Sequence, residues 1–352
     1  MARIVTVVGA RPQFVKAAPV GRALRQAGHH EYLVHTGQHY DDRMSAVFFD
    51  ELGLCPPDCN LGIGSGPHGA QTGAMLGAIE AVIQREAPDH VLVYGDTNST
   101  LAAALAAAKL GRPVAHVEAG LRSFDRRMPE EVNRVLVDHV AQLLLAPSPA
   151  AVRNLAAEGI VRGVHEVGDV MAEAVADAAR RLPAQPPVLR ALGIAPGAYL
   201  LVTVHRAENT DDPQRLRAIM AALEHIDDPV VFPVHPRTRK ALAVAGWAGP
   251  SRPGLHLVEP VGYLDMVGLQ LHARAILTDS GGVQKEAYWL GRPCLTLRDN
   301  TEWVETVAAG WNTLVGADTE RIVAAVRDLQ VPGSRPPLYG EGDAAARIAA
   351  LL

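Results

Sequence analysis

Residues 275–286 have the sequence AILTDSGGVQKE, in which a short apolar strand turns directly into a helix. The two glycines after Ser280 allow a sharp turn and a close approach of the backbone to a ligand. They also leave free N–H groups at a helix N-terminus, where the helix dipole favours an anion. Glu286, one to two turns further along, can accept hydrogen bonds from a sugar attached to that anion. The stretch indicates a nucleotide or nucleotide-sugar site, and the alternative is an ordinary turn with a Ser N-cap.

The rest of the chain repeats this alternation of short apolar runs and longer helical stretches. Continuous apolar runs flanked by helices are typical of parallel strands covered on both faces. The predicted strands form a first series at 3–9, 31–36, 89–94, 113–118, 143–146 and 163–167. A second series follows at 199–204, 229–234, 255–258, 275–278, 293–297 and 313–315. Two such series predict an α/β fold with two Rossmann-like, doubly wound parallel-sheet domains.

The domain boundary is predicted near residues 168–187, where the Pro-rich segment RLPAQPPVL follows a helix. A chain of 352 residues also fits two domains better than one. We expect an N-terminal domain at 1–168 and a C-terminal domain at 169–342. A last helix, at 343–352, follows another Pro- and Gly-rich stretch and is expected to pack back on the first domain.

Composition and charge are those of an ordinary globular protein, with 48% hydrophobic and 20% charged residues. The net charge of −5 and the absence of Lys/Arg runs argue against a nucleic-acid partner. No apolar stretch approaches the roughly 20 residues of a membrane span, and the start of the chain shows no signal peptide. Cys55, Cys59 and Cys294 give neither a disulfide framework nor a zinc pattern. We therefore expect a cytoplasmic protein that binds no nucleic acid, membrane or metal.

Polar residues follow several predicted strands at their carboxyl ends, where ligands bind in doubly wound sheets. After the first strand, GARPQFVK at 9–16 combines a glycine turn with Arg11, a bidentate fork, and Lys16, a point charge, which suits a diphosphate. The segment lacks the GxGxxG pattern of a dinucleotide site. Asp96 follows the third strand, and Glu118 lies in a strand-to-glycine turn, where helix capping does not explain a carboxylate.

Three more segments place polar side chains at such ends. MPEEVNR at 128–134 contains Glu130 and Arg134 near the start of a helix. In the second series, VHRAEN at 204–209 and PVHP at 233–236 end consecutive strands. Taken singly, each residue is more often a cap or a structural pair. Carboxylates recurring at three successive positions along one edge favour a functional site.

Nine motifs along the chain, in this order, resemble the non-hydrolysing UDP-N-acetylglucosamine 2-epimerase family from Ile4 to about Gly316. They are GARPQFVK, HTGQH, YGDTNSTL, HVEAGLRS, MPEEVNR, VTVHRAEN, PVHPRT, LTDSGGVQKE and RDNTEWVE. The resemblance implies the GT-B architecture, with two Rossmann-like domains facing across a cleft. It implies interconversion of UDP-GlcNAc and UDP-ManNAc without any cofactor, neither NAD nor metal, in a homodimer.

The implied reaction requires acidic residues that transfer protons at C2 of the sugar. Elimination of UDP with loss of the C2 proton leaves 2-acetamidoglucal, and re-addition of UDP returns a proton to the other face of C2. This scheme needs a diphosphate clamp, acid/base groups on both faces and exclusion of water. The resemblance implies catalytic roles for Asp96, Glu118, Glu130 and His205. It implies contacts to UDP or the sugar for Arg11, Lys16, Arg134, His205, Arg206, His235, Ser280, Gly281, Gly282 and Glu286.

Some positions depart from the family's simplest pattern. GARPQF, MPEEVNR, HRAEN and SGGVQKEA with TEWVE are closer to the branch that acts on UDP-2,3-diacetamido-2,3-dideoxyglucuronate. Many family members also bind a second UDP-GlcNAc as an activator, through a polar residue three places after the HTGQ glutamine and an arginine in the next helix. Gln38 is present, but motif spacing puts Asp41 and Ala74 at those two places. We therefore expect no activator site.

Several functions stay open from the sequence. UDP-GlcNAc is the first choice of substrate and the diacetamido-uronate the second. A GT-B glycosyltransferase would share the UDP clamp, but it would need an acceptor groove and no set of three acids around C1 and C2. A hydrolysing relative would let water capture the glucal. A non-enzymatic UDP-sugar sensor would have little use for Glu118 and Glu130.

Overall fold

The computed structural model describes residues 1–38, 53–183, 185–340 and 342–352. Asp41 and the side chain of Arg11 lie outside this description. The described chain divides into two compact units. The first unit comprises Met1–Ala174 and Tyr339–Leu352, and the second comprises Val175–Leu338.

Thirteen strands occur in the described residues. The first unit contains β1 (Arg3–Val8), β2 (His30–His35), β3 (Cys59–Asn60), β4 (His90–Tyr94), β5 (Val114–Val117), β6 (Leu143–Ala146) and β7 (Val164–Glu166). The second contains β8 (Leu200–Thr203), β9 (Val230–Pro233), β10 (Leu255–Val258), β11 (Ala275–Thr278), β12 (Cys294–Thr296) and β13 (Asn312–Leu314). All twelve predicted strands are present within a residue or two of their expected limits. The short β3 was not predicted, because two residues make no apolar run.

The helices of the described chain alternate with these strands. Along the first unit they are α1 (Arg11–Gln26), α2 (His68–Glu86), α3 (Asn98–Lys109), α4 (Pro129–Val140) and α5 (Pro149–Ala157), and α6 (Val170–Arg181) spans the boundary between the units. The following helices are α7 (Pro187–Leu192), α8 (Ala207–Thr210), α9 (Pro213–His225), α10 (Pro236–Val244), α11 (Tyr263–His272), α12 (Gly281–Trp289), α13 (Val304–Ala308), α14 (Thr319–Arg327) and α15 (Ala344–Leu351). Within the described ranges, no helix combines the length and the apolar composition needed to cross a bilayer.

Each unit is built on one parallel sheet. The strand order is β3-β2-β1-β4-β5-β6-β7 in the first and β10-β9-β8-β11-β12-β13 in the second. In both sheets the chain first adds strands towards one edge and then crosses back to add strands towards the other edge. The switch point lies between β1 and β4 in the first sheet and between β8 and β11 in the second. Ligands bind at such switch points, beyond the carboxyl ends of the strands. The predicted fold class, two doubly wound parallel sheets, is confirmed.

Burial explains the continuous apolar strands. Val91, Val93 and the alanines of α3 belong to one buried cluster, in which α2 and α3 cover one face of the first sheet. The C-terminal helix α15 packs on α1, and the Ala345 N–H donates to the Glu173 carboxylate over 2.7 Å. The end of the chain therefore completes the first unit.

Candidate active site

In the first unit, Glu118 follows the last residue of β5 and adopts a left-handed backbone conformation, with φ of 73°. This conformation is uncommon for a residue other than glycine and costs about 1–3 kcal/mol, so it marks a candidate functional position. The Glu118 carboxylate forms an ion pair with Lys16 of α1. Both side chains are only about one-tenth exposed, at 11% and 10%. The structure thus brings together the two residues that the sequence placed after β1 and β5.

Asp96 follows β4, beside Glu118, and forms an ion pair with Arg134 of α4. The Arg134 guanidinium also donates to Glu131 over 3.1 Å. Burial lowers the pKa of Arg134, but Asp96, Glu131 and Glu118 together outweigh burial and raise it. Two carboxylates and two cations, Asp96 with Arg134 and Glu118 with Lys16, therefore share one corner of the sheet edge.

Glu130 differs from these residues. It is exposed in the first turn of α4, and no hydrogen bond or ion pair joins it to the other acids within the described chain. Its neighbour Glu131 is buried and accepts hydrogen bonds from the backbone N–H groups of Ser123 and Phe124, at 2.9 and 3.0 Å. Glu131 therefore fixes the loop before α4, a role that the sequence analysis missed in the same EE pair.

In the second unit, Asp279 follows β11 and is fully buried. Its carboxylate accepts hydrogen bonds from the backbone N–H groups of His205 and Arg206, both at 3.0 Å, and from Asn209 Nδ2 at 3.1 Å. The turn after β8 is thereby tied to the end of β11 across the switch point. The sequence analysis quoted Asp279 in its motif but assigned it no role.

A similar set of hydrogen bonds connects the ends of β1 and β4 at the switch point of the first unit. Gln13 Oε1 accepts from the backbone N–H groups of Gly9 and Ala10, at 2.7 and 3.0 Å. Its Nε2 donates to the Tyr94 carbonyl at 2.8 Å. The buried amide of Gln13 therefore fixes the turn after β1 against the end of β4. It explains the glutamine of the RPQF segment, to which the sequence analysis gave no role.

His205 lies beside a second histidine. Its ring centroid is 5.5 Å from that of His235, and its Nδ1 is 3.5 Å from the Asp279 carboxylate. Burial lowers the pKa of His205; the charges of His235 and Arg206 add to this effect, and Asp279 opposes it. His235 caps α10, since its Nδ1 accepts from the Arg237 N–H over 3.1 Å. The predicted pair of histidines therefore shares one site.

Ser280 is the N-cap of α12, with its Oγ 3.5 Å from the Val283 N–H. The two glycines that follow have different surroundings. A Cβ on Gly281 would clash with Glu302 Oε1 and lie 3.2 Å from Trp303 Nε1, so a larger residue there would displace the Glu302 carboxylate. A Cβ on Gly282 would meet only Ser280 Oγ, at 3.9 Å. Gly282 therefore leaves open space at the helix N-terminus, as an anion site requires.

Glu302 brings two arginines to the same helix end. Its carboxylate lies 3.0 Å from Arg298 Nη1 and 3.9 Å from Arg206 Nη2. Burial raises the pKa of Glu302, but Arg298 and Arg206 outweigh burial and lower it. The ionised carboxylate thus holds two guanidinium groups beside the start of α12, where they add to the positive potential of the helix.

Glu286, on the second turn of α12, is 7% exposed. It accepts a hydrogen bond from Gln270 Nε2 over 2.6 Å. Burial raises its pKa to about 7, although Gln270 and the neighbouring Lys285 lower it. Lys285 Nζ lies 4.0 Å from the centre of the Trp303 ring, a cation–π contact. Gln270 and Lys285 were not predicted as parts of the site.

Replacing Glu286 by Gln should make the protein more stable at alkaline pH. The folded pKa of about 7 lies above the unfolded value of 4.5, so the carboxyl favours the folded state only while it is protonated. Stability is lost as pH rises from 4.5 through 7, by roughly 3 kcal/mol in total. Urea denaturation should give Glu286→Gln a higher midpoint than the wild type at pH 8.5 and a similar one at pH 4.5. A similar difference at both pH values would contradict the raised pKa.

The predicted site residues form one set in each unit. The set of the first unit is Lys16, Asp96, Glu118 and Arg134. The set of the second unit is His205, Arg206, His235, Ser280, Gly282 and Glu286. Each set lies at the carboxyl edge of its own sheet, at or beside the switch point. Among the described residues, no three His, Cys, Asp or Glu side chains group around a possible metal position. Two carboxylate–cation pairs in one unit and an open helix N-terminus in the other form a candidate active site on an α/β fold of two doubly wound parallel sheets.

The comparisons with known proteins agree with this class. Residues 22–352 match the family model for UDP-N-acetylglucosamine 2-epimerase. A UDP-N-acetylglucosamine 2-epimerase homolog of Methanococcus maripaludis is 51% identical, with 99% of each chain covered. The UDP-2,3-diacetamido-2,3-dideoxy-D-glucuronate 2-epimerase of Pseudomonas aeruginosa is 49% identical, again with 99% of each chain covered. The chain belongs to the UDP-N-acetylglucosamine 2-epimerase family and is an epimerase.

Solved structures of relatives have the same fold. The crystal structure of Methanocaldococcus jannaschii UDP-GlcNAc 2-epimerase, in complex with UDP-GlcNAc and UDP, superposes with a TM-score of 0.88. It is 42% identical in sequence, and 99% of each chain is covered. The resemblance of the nine sequence motifs to this family is therefore confirmed.

Proposed function

We propose that this protein is a non-hydrolysing UDP-N-acetylglucosamine 2-epimerase, which interconverts UDP-GlcNAc and UDP-ManNAc. The observation that carries the proposal is the pair of neighbouring carboxylates, Asp96 and Glu118, each with its own cation. Each ion pair balances the charge of its carboxylate without a bound ligand. A reaction that moves a proton at one carbon needs acid/base groups of this kind.

In the proposed reaction the bond from C1 to the UDP oxygen breaks, and its electron pair leaves with UDP. C1 becomes positively charged, so the C2 proton becomes acidic and passes to a carboxylate. The electrons of the C2–H bond form the C1=C2 double bond of 2-acetamidoglucal. UDP then returns to C1, and a second acid donates a proton to the opposite face of C2. We assign these steps to Asp96, Glu118 and Glu130, with His205 near the leaving group.

The second unit is the proposed UDP site. The N-terminus of α12, at Ser280, Gly281 and Gly282, accepts the diphosphate by its free N–H groups and its dipole. Support comes from the open space at Gly282 and from the two guanidinium groups held by Glu302. We assign Glu286 to the ribose hydroxyls. The remaining proposed contacts to UDP or the sugar are Arg11, Lys16, Arg134, His205, Arg206 and His235.

UDP-2,3-diacetamido-2,3-dideoxyglucuronate is the second candidate substrate. The observation in its favour is the 49% identity over nearly the full length to the Pseudomonas aeruginosa enzyme named for it, against 44% to the Methanocaldococcus jannaschii UDP-N-acetylglucosamine 2-epimerase. Both substrates would undergo the same chemistry at C1 and C2. They differ in the groups at C3 and C6, so the choice concerns the pocket around the sugar and not the mechanism.

Incubation with each sugar nucleotide alone tests the proposal. Proton NMR should show conversion of UDP-GlcNAc to UDP-ManNAc with no acceptor and no added cofactor. Faster conversion of the diacetamido-uronate would reverse the order of the two substrates. Release of free ManNAc would indicate a hydrolysing enzyme, and no change without an acceptor would indicate a glycosyltransferase. If a chelator abolished turnover and added metal restored it, the proposed mechanism would be wrong.

We also propose that the enzyme is a homodimer, as the family resemblance implies. Light scattering coupled to size-exclusion chromatography should give about twice the 37.4 kDa of one chain. A monomer mass at micromolar concentration would contradict the proposal.

The dependence of rate on sugar-nucleotide concentration should be hyperbolic. An activator acts only if it binds one conformational state better than another. Ala74, exposed on α2, has no guanidinium for the activator, and an aspartate at position 41 brings a negative charge towards the activator's diphosphate. Loss of the two hydrogen bonds expected from these positions removes roughly 2–3 kcal/mol. The second site would be roughly 30- to 150-fold weaker. A lag or a Hill coefficient well above one in initial rates would show that the activator site is intact.

A further inference from the structure

Beneath the turns that carry Asp96 and Glu118 lies a buried polar pair that the proposed chemistry does not use. His116 of β5 is fully buried, and Asp138 of α4 is 1% exposed. His116 Nδ1 lies 2.7 Å from Asp138 Oδ1, and His116 Nε2 lies 2.7 Å from the carbonyl oxygen of Gly95. Charged groups are costly to bury and require specific partners, so this pair needs an explanation.

Both ring nitrogens of His116 are hydrogen-bonded. The carbonyl of Gly95 can only accept, so Nε2 carries a hydrogen. Burial alone raises the pKa of Asp138, but hydrogen bonds and charges from His116 and Arg122 outweigh burial and lower it. The other ring nitrogen, Nδ1, is hydrogen-bonded to Asp138 Oδ1. Each end of the imidazole ring is fixed by one hydrogen bond.

The second oxygen of Asp138 holds the chain on the far side of Glu118. It accepts from the Gly120 N–H over 3.0 Å and from Arg122 Nη1 over 2.7 Å. Arg122 is itself paired with Glu158, through two hydrogen bonds of 2.6 and 2.8 Å. The Asp138 carboxylate is thus hydrogen-bonded to His116, two residues before Glu118 on β5, and to Gly120, two residues after Glu118 in the following loop.

The same network reaches the turn of Asp96. Gly95, whose carbonyl accepts from His116, directly precedes Asp96 in the chain. The Gly95 N–H in turn donates to the Val117 carbonyl over 3.0 Å, so the ends of β4 and β5 are joined in both directions. Asp138 also lies one turn after Arg134, the ion-pair partner of Asp96. The buried His116 therefore connects the end of β4, β5 and α4. These are the segments that carry or directly precede Asp96, Glu118 and Arg134.

We propose that His116 and Asp138 are positioning residues, which hold Asp96 and Glu118 in a fixed mutual geometry for proton transfer at C2. The inference rests on the proposed function, in which both acids act on the same carbon. A displacement of about 1 Å at a reacting group can cost about 10² in rate, so a rigid support of the two turns has kinetic consequences. Neither residue touches the substrate, so substrate affinity depends little on them.

Two variants and one matched control test the proposal. His116→Gln can keep only one of the two hydrogen bonds, and its kcat should fall about 10- to 100-fold with KM within about three-fold. Asp138→Asn keeps an oxygen for Gly120 and Arg122 and can donate to a neutral His116, so its kcat should fall only about three- to ten-fold. Val114→Ala, on the same strand and equally buried, loses packing but no hydrogen bond. Its kcat should stay within about two-fold, even where its melting temperature drops as far as that of His116→Gln.

A kcat for folded His116→Gln within two-fold of the wild type, or no lower than that of Val114→Ala, overturns the proposal. If His116→Gln does not fold, a wild-type kcat for Asp138→Asn overturns it. The wild type is assayed in the same series, so its failure to epimerise either sugar nucleotide would refute the proposed function separately. Nitrogen-15 NMR of the histidine rings is independent of turnover. It should show a ring hydrogen of His116 that is protected from exchange with solvent and absent in His116→Gln, and rapid exchange of that hydrogen in the wild type would overturn the positioning role.

Discussion

Asp96→Asn and Glu118→Gln should each lower kcat by at least about 10², because acid–base groups typically contribute 10²–10⁴ to a rate. Affinity for UDP should stay within several-fold, since the proposed diphosphate cradle lies in the other unit. Both substitutions keep the shape of the side chain and a hydrogen-bond acceptor for the paired cation. Glu118→Gln also keeps the residue in its left-handed backbone conformation, so the backbone strain is unchanged. Initial rates measured by NMR and UDP titration by calorimetry check both expectations.

Asp228→Asn is the matched control for the acid variants. Asp228 pairs with Arg274 at 3.1 Å and is 32% exposed, close to the 30% of Asp96, but it lies away from the switch points. Its kcat should stay at the wild-type value. The kcat of Glu130→Gln should fall by at least about 10², like that of the other two acid variants. A folded Asp96→Asn or Glu118→Gln that turned over normally would remove that residue from the catalytic set.

Asp279→Ala should destabilise the second unit by about 3–5 kcal/mol. The substitution leaves two backbone N–H groups, of His205 and Arg206, and the Asn209 amide without their carboxylate acceptor in a fully buried position. UDP binding should weaken as well, because the turn that carries His205 loses its connection to β11. Urea denaturation and UDP titration measure the two effects.

The N-cap Asp212 provides the comparison for Asp279. Its carboxylate accepts from the Gln214 N–H over 2.8 Å at the start of α9, an exposed position. Asp212→Ala should cost about 1 kcal/mol and leave UDP affinity unchanged. Equal losses of stability in Asp212→Ala and Asp279→Ala would show that Asp279 acts as an ordinary cap and does not join the switch point.

The strands could be predicted from the sequence because each is a short apolar run with both faces covered. Residues 275–278 and 143–146 are examples, in which the predicted and observed limits agree. The doubly wound class was predicted, but the order of the strands in each sheet was not stated from the sequence and comes from the folded chain. The two-residue β3 shows the limit: Cys59–Asn60 pairs with β2, but its own sequence contains no strand signal.

The site was predictable only in part. Residues at strand ends, such as Asp96 and Glu118, are found from their position, because that edge is where ligands bind. Side chains that support the site from a distance leave no local pattern. Gln270 contacts Glu286 from another helix, and Asp138 reaches His116 from α4, so only the folded chain reveals these pairs. The ion pair of Lys16 with Glu118 is a similar case, because 102 residues separate its two members in the chain.

The central claim is that a proton is removed from C2 and replaced during epimerisation. The direct measurement is a reaction with UDP-GlcNAc in heavy water, without NAD, flavin or metal, followed by proton NMR and mass spectrometry. The account predicts one deuterium at C2 of the UDP-ManNAc product and loss of the C2 proton signal, and neither should occur with Glu118→Gln. Epimerised product that retains the original hydrogen at C2 would contradict the account.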